Sequence, residues 1–295
     1  MRMTRATWRA SVMLFLLLMG GATRGQEVEV RHNFNDFYEQ SLRGQQEAKP
    51  LPYVRQSDVI WKTWVWRTID LRELFNQFIY FPVEATGAQG RKNLAFTLWD
   101  AIVANEIEVY EDDDLLIPKE CEEVVAFFTR SDTLTLEVIN DEDEESYEYR
   151  TVFVPREFTS DDILRYRLRE AWFIDKQANR QEVRITGLAP VQELFKDRDG
   201  EREYRGSATL FWIPMLSPNV RRMLARHEAY FEPNLANLPS WEDIFNSRIF
   251  SSYITRKSNT KNRSIDSYLT GTDAIMEASR IENELLNISM DMWEY

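Results

Sequence analysis

Hydrophobic and polar positions change rhythm several times along the chain. Trp64, Trp66 and Thr68 alternate with Val65, Arg67 and Ile69, the period of two that predicts a strand. Asp70 then stands as a helix cap with Glu73 three residues on. Leu71, Leu74, Phe75 and Phe78 follow at helical spacing, and Pro82 closes the unit. Leu94, Ala95, Leu98, Trp99, Ile102 and Val103 predict a second helix, and Ile107 and Val109 a short strand. Pro118 is expected to open a third helix with Cys121, Val124, Val125 and Phe128 on one face. Thr133 to Ile139 and Tyr147 to Val154 then alternate as a hairpin across an acidic loop.

Tyr166, Leu168, Trp172 and Ile174 mark another strand, and Val183, Ile185 and Leu188 the next. Asp199-Gly200 is a hairpin turn before Tyr204 to Ile213. From there the pattern turns helical: Ser217-Pro218 and Ser240 with Asp243 are caps, and Asp273 precedes a long last helix. In that helix Ala278, Ile281, Leu285, Ile288 and Met292 are spaced 3, 4, 3 and 4, a narrow apolar seam beside Glu277, Glu282 and Glu284. The seam suits docking on its own domain or on a neighbour. Together these elements predict an α+β fold, with a mixed helix/strand domain over 57–157 and antiparallel hairpins followed by helices over 158–295.

The first 56 residues follow a different logic. Arg2, Arg5 and Arg9 precede the apolar run Val12–Met19, and Gly20, Gly21 and Ala22 supply small residues, the three parts of an export signal over 1–25. The apolar run is far shorter than the ~20 residues a spanning helix needs. Residues 26–56 are polar, contain Pro50 and Pro52, and read as an extended arm. Phe34, Phe37 and Tyr38 interrupt its polarity and are candidate partner contacts, as are Ile281, Leu285 and Ile288 of the last helix. The expected compartment is extracytoplasmic.

Composition narrows the chemistry. The 36 basic and 49 acidic residues give a charge of −13, and loss of four Arg with the leader takes it to −17, against a nucleic-acid partner. The 9 Trp, 12 Tyr and 17 Phe are what a folded core requires and a disordered chain lacks. One Cys and two His argue against a disulfide and against a Cys- or His-rich metal centre. His227-Glu228 lacks the second His of a zinc helix, and Asp197, Asp199 and Gly200 lack the remaining ligands of a calcium loop. The runs Glu111–Asp114 and Asp141–Glu145 are expected to be solvated loops. No phosphate-binding glycine loop or nucleophile elbow is present, so no catalytic, cofactor or metal site is expected. Trp61, Trp64 and Trp66 could stack sugars on an open sheet face, which keeps a glycan-binding or glycan-active protein as the alternative, or they could be core.

Several blocks occur in a familiar order. They begin with Ile69-Asp70-Leu71-Arg72-Glu73, Asn76 through Tyr80-Phe81-Pro82, and Leu98-Trp99-Asp100-Ala101-Ile102. Leu168 to Gln177, Val183 to Pro190, Phe211-Trp212-Ile213, Arg248-Ile249-Phe250-Ser251-Ser252 and Asn262 to Tyr268 follow. In these blocks the sequence resembles the GldN/PorN family of the Bacteroidetes gliding-motility and type IX secretion machinery, from about Val59 to the end. It departs from the family pattern at Phe78, where Pro is expected, and at Asn105, where Gly is expected. The resemblance implies a non-enzymatic periplasmic ring subunit without a cofactor. It would assemble with a GldK/PorK-type outer-membrane lipoprotein, a GldM/PorM-type motor subunit and copies of itself.

Overall fold

The computed structural model describes residues 48–291 except residue 89 and the stretches 130–131, 141–142, 155–157, 162, 199–200 and 232–237. The leader, Phe34, Phe37, Tyr38, the Asp199-Gly200 turn, residues 141–142 of the second acidic run and Met292 lie outside the described residues. The fold is α+β, built on a curled antiparallel sheet.

The chain enters through extended residues 48–55 and reaches β1 (Val59–Asp70). A 3-10 turn, Leu74–Asn76, and a single helical turn, α1 (Gln77–Tyr80), follow. This corrects the helix expected from Asp70, whose carboxylate accepts from the Arg72 backbone N–H at 3.0 Å and its Nε at 2.9 Å, folding the chain as a local turn. Leu74 and Phe75 are exposed, so the spacing that suggested a buried stripe does not mark one.

Helix α2 (Leu94–Val103) forms as expected, capped by Asn93, whose Oδ1 accepts from Phe96 N at 2.9 Å. Strands β2 (Val109–Tyr110) and β3 (Pro118–Lys119) pair before α3 (Cys121–Phe128). Pro118 therefore does not open the helix. Without an N–H it suits a short two-stranded edge, and Glu120 takes the cap position. Strands β4 (Asp132–Asn140) and β5 (Asp143–Val154) form the expected hairpin as a separate two-stranded sheet.

Three long strands, β6 (Ile163–Asp175), β7 (Arg180–Arg198) and β8 (Glu201–Thr209), continue the main sheet, and β9 (Ile213–Pro214) adds to β7. Helices α4 (Pro218–Arg226) and α5 (Trp241–Ser247) precede β10 (Tyr253–Lys257), and α6 (Thr272–Asp291) is the long last helix. Pro218 occupies the start of α4 as predicted. Ser240 and Asp243 form a reciprocal capping box on α5.

The sheet order is β10-β1-β6-β7-β8, so sequence order is broken where β1 lies between β6 and β10. On one face Ile69, Tyr166, Leu168 and Leu188 are fully buried. They join one cluster with Leu94, Leu98 and Ile102 of α2, Val220 and Leu224 of α4, and Trp241 and Ile244 of α5. Each large aliphatic side chain hidden this way contributes roughly 2 kcal/mol. At the β10 end Val65 and Ile254 meet Ile265 and the Ile281 and Leu285 side chains of α6 in a second cluster.

Strand β1, from the expected first domain, pairs along its length with β6 from the expected second, and both halves feed the larger cluster. Gln46–Tyr295 forms one compact unit. The boundary near residue 157 is thus not a domain boundary.

Candidate functional site

The face of the sheet opposite the helices is polar, and its chemistry follows from strand register. Alternate residues of a strand share a face, so Arg165, Arg167 and Arg169 stand in one column on β6. Thr68 lies opposite Arg167 and Trp66 opposite Arg169 on β1, while Val191, Ala189 and Gly187 face the column from β7. Strand β8 brings Ser207 and Thr209, and β10 brings Arg256 opposite Trp66 and Tyr253 opposite Thr68. The result is a groove of about 610 Å³ across these strands.

Gly187 makes the groove's inner wall possible. A Cβ there would stand 3.2 Å from the Trp212 ring and 3.6 Å from the Arg169 Cβ, so the indole lies directly over the bare backbone. Trp212 is 5 % exposed and exchanges backbone hydrogen bonds of 2.8 and 2.7 Å with Tyr110.

The loop after Tyr110 closes one end. Asp112 turns back to accept from Leu116 N at 3.1 Å and Ile117 N at 2.9 Å. Burial pushes the Asp112 carboxyl up, but those N–H groups outweigh it and hold the pKa below the usual range. Asp113 pairs with Arg256, and Asp114 with Arg169 at 2.8 Å. The first acidic run is therefore a solvated loop only in part: Glu111 and Asp114 are exposed, whereas Asp112 and Asp113 are half-buried. Its carboxylates diverge onto three different partners, which is the wrong geometry for holding a cation.

The arginines differ in what answers them. Arg165 meets Asp70 and Glu193, each at 3.3 Å, in a network that also takes in Arg72. Burial opposes ionisation of Asp70, yet the Arg72 side chain and backbone, with Arg165, hold its pKa at about 2. Arg167 donates to the Thr209 hydroxyl at 2.7 Å and is half-buried. Burial and the adjacent Arg256 and Arg165 lower its pKa, against the opposing pull of Tyr253 and Asp266.

The three tryptophans do not form a platform. Trp61 packs at the cluster on the other side of the sheet. Trp64 has Lys62 Nζ 4.0 Å and Arg169 Cζ 3.8 Å from its ring centroid, and Arg256 Cζ lies 3.5 Å from that of Trp66. Trp66 is 8 % exposed, so cations occupy the ring surface a sugar would need.

Of the expected partner residues, Ile281 and Leu285 are buried against β1 and β10, and Ile288 is half-buried. Among the described residues, Ile281 and Leu285 cover Val65 and Ile254 at that end of the sheet. His227 follows α4, and Glu228 beside it pairs with Arg91 at 3.1 Å. Cys121 is half-buried with its thiol donating to the Ile107 carbonyl at 3.4 Å, and burial raises its pKa. The end of the polar arm is held in cis: Lys49 pairs with Asp243 at 2.5 Å, and the Pro52 carbonyl accepts from Arg184 at 2.7 Å.

The groove was not anticipated from the sequence, although Arg165, Arg167 and Arg169 at alternate positions were a visible signal for one charged face. Their answering groups come from segments up to 95 residues away, as with Asp70 and Arg165, and no local pattern foretells them.

The blocks that the sequence shares with a known family meet in space. Asn76 is fully buried; its Nδ2 donates to the Asp70 and Ser251 carbonyls at 2.8 and 3.0 Å, and its Oδ1 accepts from Ser251 N at 2.8 Å. Arg248, in a left-handed conformation after α5, pairs at 2.7 Å with the buried Glu170, which also accepts from Trp172 Nε1 at 2.9 Å. No curated protein matches the chain. The family described as "Gliding motility associated protein GldN" matches residues 54–294, nearly the whole chain, and the protein belongs to that GldN family.

Proposed function

We propose that this protein is a non-catalytic structural subunit of a periplasmic ring, assembled with a GldK/PorK-type outer-membrane lipoprotein and required for type IX protein secretion and, in gliding species, for gliding. Family membership across 54–294 is the observation that carries this reading, since the family is described as gliding-motility associated. The leader pattern of Arg2, Arg5 and Arg9 followed by Val12–Met19 supports export. In this reading a lipoprotein partner retains the chain at the outer membrane, and a GldM/PorM-type motor subunit and further copies of the chain complete the contacts.

The test is genetic and biochemical. A chromosomally tagged copy is expected to fractionate with the outer membrane only while the lipoprotein gene is intact, to co-purify with that lipoprotein in assemblies far larger than 35 kDa, and on deletion to abolish secretion. A tagged protein that stays monomeric, or a deletion strain that still secretes and glides, overturns the reading.

A further inference from the structure

Among the described residues of the open face, the chain supplies a carboxylate to Arg165, Arg169 and Arg256 but not to Arg167. Arg165 has Asp70 and Glu193, Arg169 has Asp114, and Arg256 has Asp113. Arg167, at the centre of the β6 column, has the Thr209 hydroxyl and, among the described residues, no ion-pair partner.

We propose that this groove binds an extended segment of a partner polypeptide, which places a single Asp or Glu carboxylate on Arg167. A planar guanidinium held by Thr209 and half-buried among neighbours loses little further freedom on binding, and its remaining N–H groups match a carboxylate fork. The same face already takes carboxylates in this way, at Arg169 and Arg256, from the chain's own loop.

Length and charge identify the occupant. The lining residues run from β10 across β1, β6 and β7 to β8, four strand spacings or about 19 Å, the span of about six extended residues. Glu111, Asp112 and Asp266 stand on the groove's walls. Those carboxylates repel a phosphate dianion, a nucleic acid or an anionic lipid surface, and they favour a segment in which the docking carboxylate has a Lys or Arg beside it. The inference goes beyond the ring reading, and its test uses the purified chain alone, so either can fail without the other.

The experiment follows the Arg167 Nε–H and the Trp66 and Trp212 indole N–H resonances of the isotopically labelled full chain. Three probes are titrated: acetyl-Gly-Lys-Asp-Gly-amide, its Asn counterpart, and inorganic phosphate. The Asp peptide is expected to shift these signals saturably, with the Asn peptide and phosphate at least tenfold weaker. Arg167→Gln should abolish the shifts while leaving the other indole signals in place. Arg167→Lys, which keeps the charge and loses the fork, should weaken binding severalfold, and it decides the matter if the Gln variant does not fold. Equal binding of the Asp and Asn peptides, no binding of either, tighter binding of phosphate, or undiminished binding by either folded variant overturns the proposal.

Discussion

Single residues hold this protein together by two opposite routes. Asp70 is a charge made favourable by its surroundings: Arg72 and Arg165 reach its carboxylate, and its pKa falls from 3.8 to about 2 despite the cost of burial. A carboxylate with a depressed folded pKa stabilises the fold fully above its unfolded value and loses that contribution as pH falls through the folded one. Stability from Asp70 should therefore disappear between about pH 4 and pH 2, and Asp70→Asn should flatten that part of the profile by about 1 kcal/mol once solvent screening is allowed for. Urea midpoints of both proteins across that window measure it; parallel profiles would show that the Asp70 network contributes nothing. Tyr166 illustrates the other route. It is fully buried, its hydroxyl finds no hydrogen-bond partner among the described residues, and burial pushes its pKa up. Because an unsatisfied buried hydroxyl costs about 1–3 kcal/mol, Tyr166→Phe should be neutral or stabilising by about 1 kcal/mol. A loss of more than about 1 kcal/mol in thermal or urea unfolding would reveal a partner for the hydroxyl, such as a bound water.

At the scale of elements, local sequence decided existence more reliably than purpose. The strands β1, β6 and β7, the Ser240 cap, and the Pro218 start of α4 follow from alternation and cap chemistry, which act within a few residues. Asp70 and Pro118 misled because both can start a helix and can equally serve a turn or an edge strand. The choice fell to groups outside the capping pattern, Arg72 and Arg165 for Asp70 and the nearby strand β2 for Pro118. The last helix was legible as a helix, but its seam was not legible as core, since an apolar stripe does not say what covers it. Its register against β1 and β10 now separates two sets of side chains. Ile281 and Leu285 are 4 % and 0 % exposed, whereas Leu286 and Met290 are 52 % and 65 % exposed. Ile281→Asp or Leu285→Asp should destabilise the isolated chain by roughly 3–5 kcal/mol, because each buries a charge without a partner. Leu286→Asp and Met290→Asp should change stability by less than about 0.5 kcal/mol. Circular dichroism melts of the four variants test the assignment. Equal, small effects in all four would return the seam to the role of an intersubunit contact.

For the whole molecule, what matters is that the β1–β6 pairing joins residues about a hundred positions apart before any later strand can be placed. Neither segment flanking residue 157 can satisfy its own backbone: β1 alone would leave its β6-facing N–H and C=O groups unpaired, and β6 would lose β1 while keeping β7. The same is true of the apolar surface, because Leu94, Leu98 and Ile102 on one side and Leu224, Trp241 and Ile244 on the other belong to a single cluster. Arg67 reinforces the closure from the far edge, bonding Ser252 Oγ and the Ser252 carbonyl at 2.9 Å each and Glu282 at 3.0 Å. An architecture of this kind has no intermediate in which one half is native and the other is not, since the first half to unfold takes with it the strand and the helices that cover the second. Urea unfolding should therefore be one cooperative transition. Two single-tryptophan versions report on it separately: one retains Trp99 of the first half, stacked at 4.4 Å on Phe158 just past residue 157, and the other retains Trp241 at the base of α5. Their fluorescence midpoints and slopes are expected to coincide once each is compared with the circular dichroism of the same protein. In either version, a fluorescence midpoint that departs from the circular dichroism midpoint of the same protein would mean that the halves fold independently and that the shared sheet follows their folding and does not drive it.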